Sequence, residues 1–163
     1  MLANESTRSA TVAKLAASGK GRIPLLISWT RNPPAQVDKL KLYVGLADTF
    51  GQLKATEAIP FLISNISLRR WAFDGPNTWL KTPAVVKERL PCILALIQIG
   101  PEASRALMNA YPHGMMDEDR LAAIFVISRI KGVPEARSFL LSVSGQINLE
   151  RHLLEDGLNL RNQ

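Results

Sequence analysis

Glu57-Ala58-Ile59-Pro60-Phe61-Leu62-Ile63-Ser64 repeats the pattern of an earlier stretch, Gly21-Arg22-Ile23-Pro24-Leu25-Leu26-Ile27-Ser28. Two further copies follow, Glu102-Ala103-Ser104-Arg105-Ala106-Leu107 and Glu135-Ala136-Arg137-Ser138-Phe139-Leu140. The shared leucines, Leu26, Leu62, Leu107 and Leu140, are separated by 36, 45 and 33 residues. Recurrence at this period marks stacked helical hairpins, each too small to bury its apolar face alone.

Each copy carries a helical stripe. Ala136, Phe139, Leu140 and Val143 stand at i, i+3, i+4 and i+7, as do Ala103, Ala106, Leu107 and Ala110. Ala58, Phe61, Leu62 and Asn65 repeat the offsets with one polar member. Such spacing places one apolar row along a helix. A partner helix is expected before each copy. Leu90, Ile93, Leu94 and Ile97 form one stripe, and Leu121, Ile124, Ile127 and Ile130 another. Val37, Leu40, Val44 and Ala47 supply the third, and a stretch near Ser9–Ser18 the fourth.

The punctuation agrees. Gly100-Pro101 and Gly132-Val133-Pro134 end one helix and open the next, with Gly as the C-terminal cap and Pro in the first turn. Pro24 and Pro60 are expected in first turns, where a missing N–H costs least. Asn32-Pro33-Pro34 separates the first two units. The expected units cover roughly 6–32, 35–66, 84–112 and 117–145. An insertion at 67–83 lengthens the middle spacing. A polar-backed helix at 147–160, with Leu149, Leu153, Leu154 and Leu158 inward, would close the stack.

Hydrophobic residues make up 47% of the 163-residue chain, enough for a core, while aromatics are only 6%. That balance favours helix over strand. No run is long and apolar enough to span a bilayer, and Met1 to Lys20 lacks an apolar stretch of signal-peptide type. A cytoplasmic address is expected. The single cysteine, Cys92, sits among apolar neighbours and reads as an inert buried thiol. The net charge of +6 is unevenly placed: residues 1–90 hold 13 Lys and Arg against 6 Asp and Glu, and the remainder 7 against 8.

The pattern resembles HEAT-like repeats, in particular the short units of phycobilisome-lyase-type repeat proteins. Ile99-Gly100-Pro101-Glu102-Ala103 and Glu57-Ala58-Ile59-Pro60-Phe61-Leu62 carry the likeness best, and it covers most of residues 9–145. The chain departs from that pattern where Ile97 and Ser128 replace a late helical Gly and where the Asp of the turn is missing. The resemblance implies an all-α fold, a right-handed α-α superhelix of the HEAT/armadillo-like solenoid kind. It would have about four helical hairpins and a C-terminal capping helix. It implies a scaffold or binding surface and brings no catalytic residues.

The residues themselves offer little chemistry. The two histidines, His113 and His152, are far apart, and His113 with Asp117, Glu118 and Asp119 reads as loop and helix capping rather than a metal site. No Gly-rich phosphate loop is present. No catalytic residue, metal or cofactor is expected. The candidate binding residues are Arg69, Arg70, Trp71, Phe73, Trp79 and Lys81, which gather cations and aromatics in the insertion. Such groups dominate interface energetics. The alternative is that Trp71, Phe73 and Trp79 fold back over the gap the insertion opens. Trp29 reads as core.

Two functional readings follow. One is a non-catalytic protein–protein interaction or scaffold module, acting through its concave face, through 67–83, or both. The other is a nucleic-acid binder resembling HEAT-like alkylpurine DNA glycosylases and using the basic N-terminal half. Against the second, Arg22, Arg105 and Arg137 occupy different positions of their motifs, so no ladder of cations forms.

Overall fold

The structure is a computed structural model that describes residues 2–70, 90–112, 115 and 117–143. Among them lie eight α-helices and no strand. They are α1 (Glu5–Ala17), α2 (Ile23–Arg31), α3 (Lys39–Leu53), α4 (Ile59–Ser64), α5 (Pro91–Ile99), α6 (Pro101–Ala110), α7 (Asp117–Lys131) and α8 (Val133–Val143). Short 3₁₀ turns at Lys20–Arg22 and Thr56–Ala58 lead into α2 and α4.

Local chemistry sets the helix ends. The side chains of Asn4 and Asp38 accept the N–H groups of Ser6 and Lys41 at 3.1 and 3.0 Å. These caps satisfy donors that a helix start leaves without an intrahelical acceptor. Pro24, Pro60, Pro91 and Pro101 all stand in first turns. Gly100 and Gly132 follow α5 and α7 with φ of +89° and +102°, a backbone region costly for any residue with a Cβ. Lys54 takes the left-handed position after α3, at φ 48°, where no glycine is available.

The odd-numbered helices pack in succession, α1 on α3, α3 on α5 and α5 on α7, with the α3–α5 contact the most extensive. Among the even-numbered helices α4 packs on α6, and α2 touches the 3₁₀ turn before α4. The Tyr111 ring, just after α6, meets Phe139 of α8 edge-on at 5.4 Å. Phe61 of α4 meets Tyr43 of α3 at 4.9 Å, and the Tyr43 hydroxyl donates to the Thr30 carbonyl of α2 at 2.8 Å.

The core holds the residues that recur. Leu26, Leu62, Leu107 and Leu140 lie on α2, α4, α6 and α8, and all are buried, as are Ala58, Ala103 and Ala136. Each leucine so removed from water contributes about 2 kcal/mol before entropy is counted.

Three stripes differ from expectation; in that of α7, Leu121 and Ile130 are half-buried while Ala122, Ala123, Phe125 and Val126 join Ile124 and Ile127 in the core. Leu40 is 48% exposed in the first turn of α3, and Val37 precedes the helix. Val44 and Ala47 of that stripe are buried, and Leu42, Gly45, Leu46, Thr49, Phe50, Gly51 and Leu53 are buried with them. This wide face goes with the number of neighbours α3 has, since α1, α2 and α5 all pack against it. In α5, likewise, Leu94 and Ile97 are half-buried while Cys92, Ala95, Leu96 and Ile99 join Ile93 in the core. Leu90 is buried but precedes the helix. Residues 71–83 of the insertion and the expected closing helix at 147–160 lie outside the described residues.

Candidate functional site

Three helices converge on a cleft of about 480 Å³. α1 contributes Arg8 and Val12 to its walls, α3 contributes Asp48 and Gln52, and α5 contributes Leu94 and Gln98. Each pair is spaced i, i+4, so each helix presents one row of side chains to the opening. Arg70, which follows α4, also lines it, as do Ser9, Pro91 and Ala95.

Glycines bring these walls together. A Cβ built on Gly51 of α3 would stand 2.9 Å from Cα of Ala95 and 2.1 Å from Oε1 of Gln98. The bare glycine therefore lets α5 press against α3 and lets the Gln98 amide lie across it. At Gly45, six residues earlier, a Cβ would come within 2.7 Å of the Leu2 carbonyl oxygen. The N-terminal segment thus crosses α3 at Gly45, and that same Leu2 carbonyl accepts a hydrogen bond from Nε of Arg8 at 3.1 Å. Arg8 is only 8% exposed, an unusual degree of burial for a guanidinium.

Asp48 and Arg70 form a two-pronged ion pair. Nη1 of Arg70 donates to Oδ2 of Asp48 at 2.7 Å, and Nη2 donates to Oδ1. Both side chains are largely buried, and a planar fork on a planar carboxylate is the strongest form of such a contact. Arg8 adds a second cation to the same cleft, so the formal charges of its described lining residues sum to one positive.

Cys92 lies fully buried within electrostatic reach of this pair. Burial pushes its thiol far above the ordinary range, the Asp48 carboxylate pushes it further, and Arg70 acts in the opposite sense. A thiol held protonated in this way is a poor nucleophile. Among the described residues no group of three His, Cys, Asp or Glu could hold a metal ion. No helix among them is long and apolar enough to cross a membrane.

Of the six nominated residues, Arg69 and Arg70 are described, and both are half-buried. Trp71, Phe73, Trp79 and Lys81 lie outside the described residues. Sequence reasoning missed Arg8, Asp48, Gln52 and Gln98. One local signal pointed to Asp48: it is the only charge between Lys41 and Lys54, inside a helix otherwise rich in buried residues, and such a charge needs a partner. A second groove, of about 520 Å³, runs between α1 and α2 past Lys14, Leu15, Arg22, Leu25 and Trp29. Trp29 there is half-buried and packs on the core, while Leu25 is 45% exposed.

Comparison with protein-family models, with curated proteins and with solved structures returns no match.

Proposed function

We propose that this chain is a HEAT-like helical-repeat protein, a curved solenoid of paired helices, and that it serves as a non-catalytic protein–protein interaction or scaffold module. One observation carries the reading. Each odd-numbered helix packs chiefly on the next, α1 on α3, α3 on α5 and α5 on α7, while the four recurring leucines are buried on the even-numbered helices. Stacking in single steps gives an extended surface rather than a closed pocket, and extended surfaces suit recognition of another chain.

The face offered would be that of α2, α4, α6 and α8. Its exposed members are chemically mixed and include Leu25, Glu102, Arg105, Asn109, Glu135, Arg137 and Leu141. Apolar groups among amides and charges of both signs fit a protein partner better than a phosphate backbone, which asks for a continuous cationic track.

The test is capture of partners from cell extract by the full chain, set beside an Arg105→Ala/Leu141→Ala variant. Both positions are exposed, so the fold and Tm should not change. A protein held by the parent chain and lost by the variant supports the reading. Capture of duplex DNA instead, weakening steeply as salt rises, would replace it with the nucleic-acid alternative.

A further inference from the structure

We infer that the cleft between α1, α3 and α5 is a binding site for an aliphatic monocarboxylate. The site goes beyond the interaction-module reading and does not depend on it.

Charge sets the class of ligand. Two cations, Arg8 and Arg70, and one carboxylate, Asp48, line the same opening. Asp48 is already matched by the fork of Arg70, whose two terminal nitrogens it occupies. The remaining positive charge belongs to Arg8. Its Nε is held by the Leu2 carbonyl, which fixes the plane of the guanidinium and leaves little rotamer freedom to lose on binding. One net positive charge among the described lining residues is balanced by a monoanion. A dianionic phosphate would overcompensate it and stand against Asp48 as well.

The walls set the rest of the ligand. Val12, Leu94 and Ala95 give the cleft an apolar side, and the amides of Gln52 and Gln98 give it neutral hydrogen-bonding groups. A carboxylate on a branched aliphatic stem matches both halves. The volume, about 480 Å³, lies within the range of small-molecule sites and far exceeds what an inorganic ion fills. Two sources present this chemistry: a free short-chain acid, or the C-terminal residue of a protein ending in a branched aliphatic side chain.

The experiment is a titration of the full-length ¹⁵N-labelled chain followed by NMR. Isocaproate should shift the Arg8 Nε–H and the Gln52 and Gln98 side-chain amides, saturably and in the millimolar range. Isocaproamide, the same shape without charge, should bind about tenfold more weakly, since a charge-assisted hydrogen bond is lost. Gln98→Leu, at an exposed position, should weaken isocaproate without lowering Tm. N-acetyl-leucine binding more tightly than isocaproate would assign the carboxylate to a protein terminus, and the reverse order to a free acid. Equal binding of inorganic phosphate, shifts scattered away from these residues, or no shift at all would overturn the inference. Failure to capture any partner would end the interaction-module reading and leave this result untouched.

Discussion

Cys92 keeps its proton because the thiolate would have no water around it and would face the Asp48 carboxylate, with Arg70 offsetting only part of that cost. The folded chain therefore holds this proton to a higher pH than the unfolded chain, whose thiol ionises near pH ~8.5. Above that point the unfolded state binds fewer protons than the native state, so stability falls as pH rises. The slope from this one group is about 1.4 kcal/mol per pH unit. Urea titrations between neutral and alkaline pH should show the fall, and Cys92→Ala should flatten it. At neutral pH an aromatic disulfide reagent should label Cys92 no faster than the chain unfolds, and rapid labelling of the native protein would contradict its burial. The ion pair next to it has its own test. Arg70→Met leaves Asp48 largely buried without its counter-charge, which costs about 2–4 kcal/mol. Adding Asp48→Leu removes the stranded charge and should restore most of the loss in a double-mutant cycle.

The contact between α3 and α5 rests on an absent side chain. Gly51→Ala would gain about 1 kcal/mol in helix propensity, but the new carbon would meet main chain at Ala95, 2.9 Å away, and α5 cannot step aside without opening the core. Overpacking of this kind costs about 1–3 kcal/mol, so the clash wins and Tm should drop. Gly21→Ala, with nothing within 4 Å of the added carbon, should leave Tm unchanged or raise it slightly, and serves as the control. These two glycines also mark the boundary of what is legible in the sequence. Helix starts and stops are legible where stripe and punctuation coincide, as at Pro24, Pro60, Gly100-Pro101 and Gly132. The end of α3 is not, because Lys54 adopts a left-handed turn that propensity reserves for glycine. The exposed Leu40 is misplaced by periodicity because a single stripe cannot describe a helix packed by several neighbours. The cleft is illegible for a different reason. Arg8, Asp48 and Gln98 are remote in the chain and meet only because Gly45 and Gly51 let backbone and helix approach α3, and a close approach leaves no periodic trace.

At the scale of the whole chain the decisive question is whether cohesion is passed from neighbour to neighbour or held in one centre. α6 packs on α4, α5 and α7, whereas the principal neighbour of α8 is α7. Leu107 and Leu140 are equivalent in sequence and almost equally buried, at 0% and 2% exposure, yet among the described helices they sit at an inner position and at the last one. Replacing either by Asp buries a charge in place of a leucine, a loss of about 3–5 kcal/mol or more. That is a large share of the roughly 5–15 kcal/mol that holds a domain of this size together. In a nearest-neighbour stack the damage spreads according to position. Leu107→Asp should disrupt both flanking contacts and remove most of the helical circular dichroism. Leu140→Asp should release α8 and loosen α7, leaving α1, α3 and α5 protected in native-state hydrogen exchange. Simultaneous loss of protection in all helices after Leu140→Asp would instead mean a single cooperative core, in which the leucines of α2, α4, α6 and α8 answer to one centre and the extended binding face disappears with it.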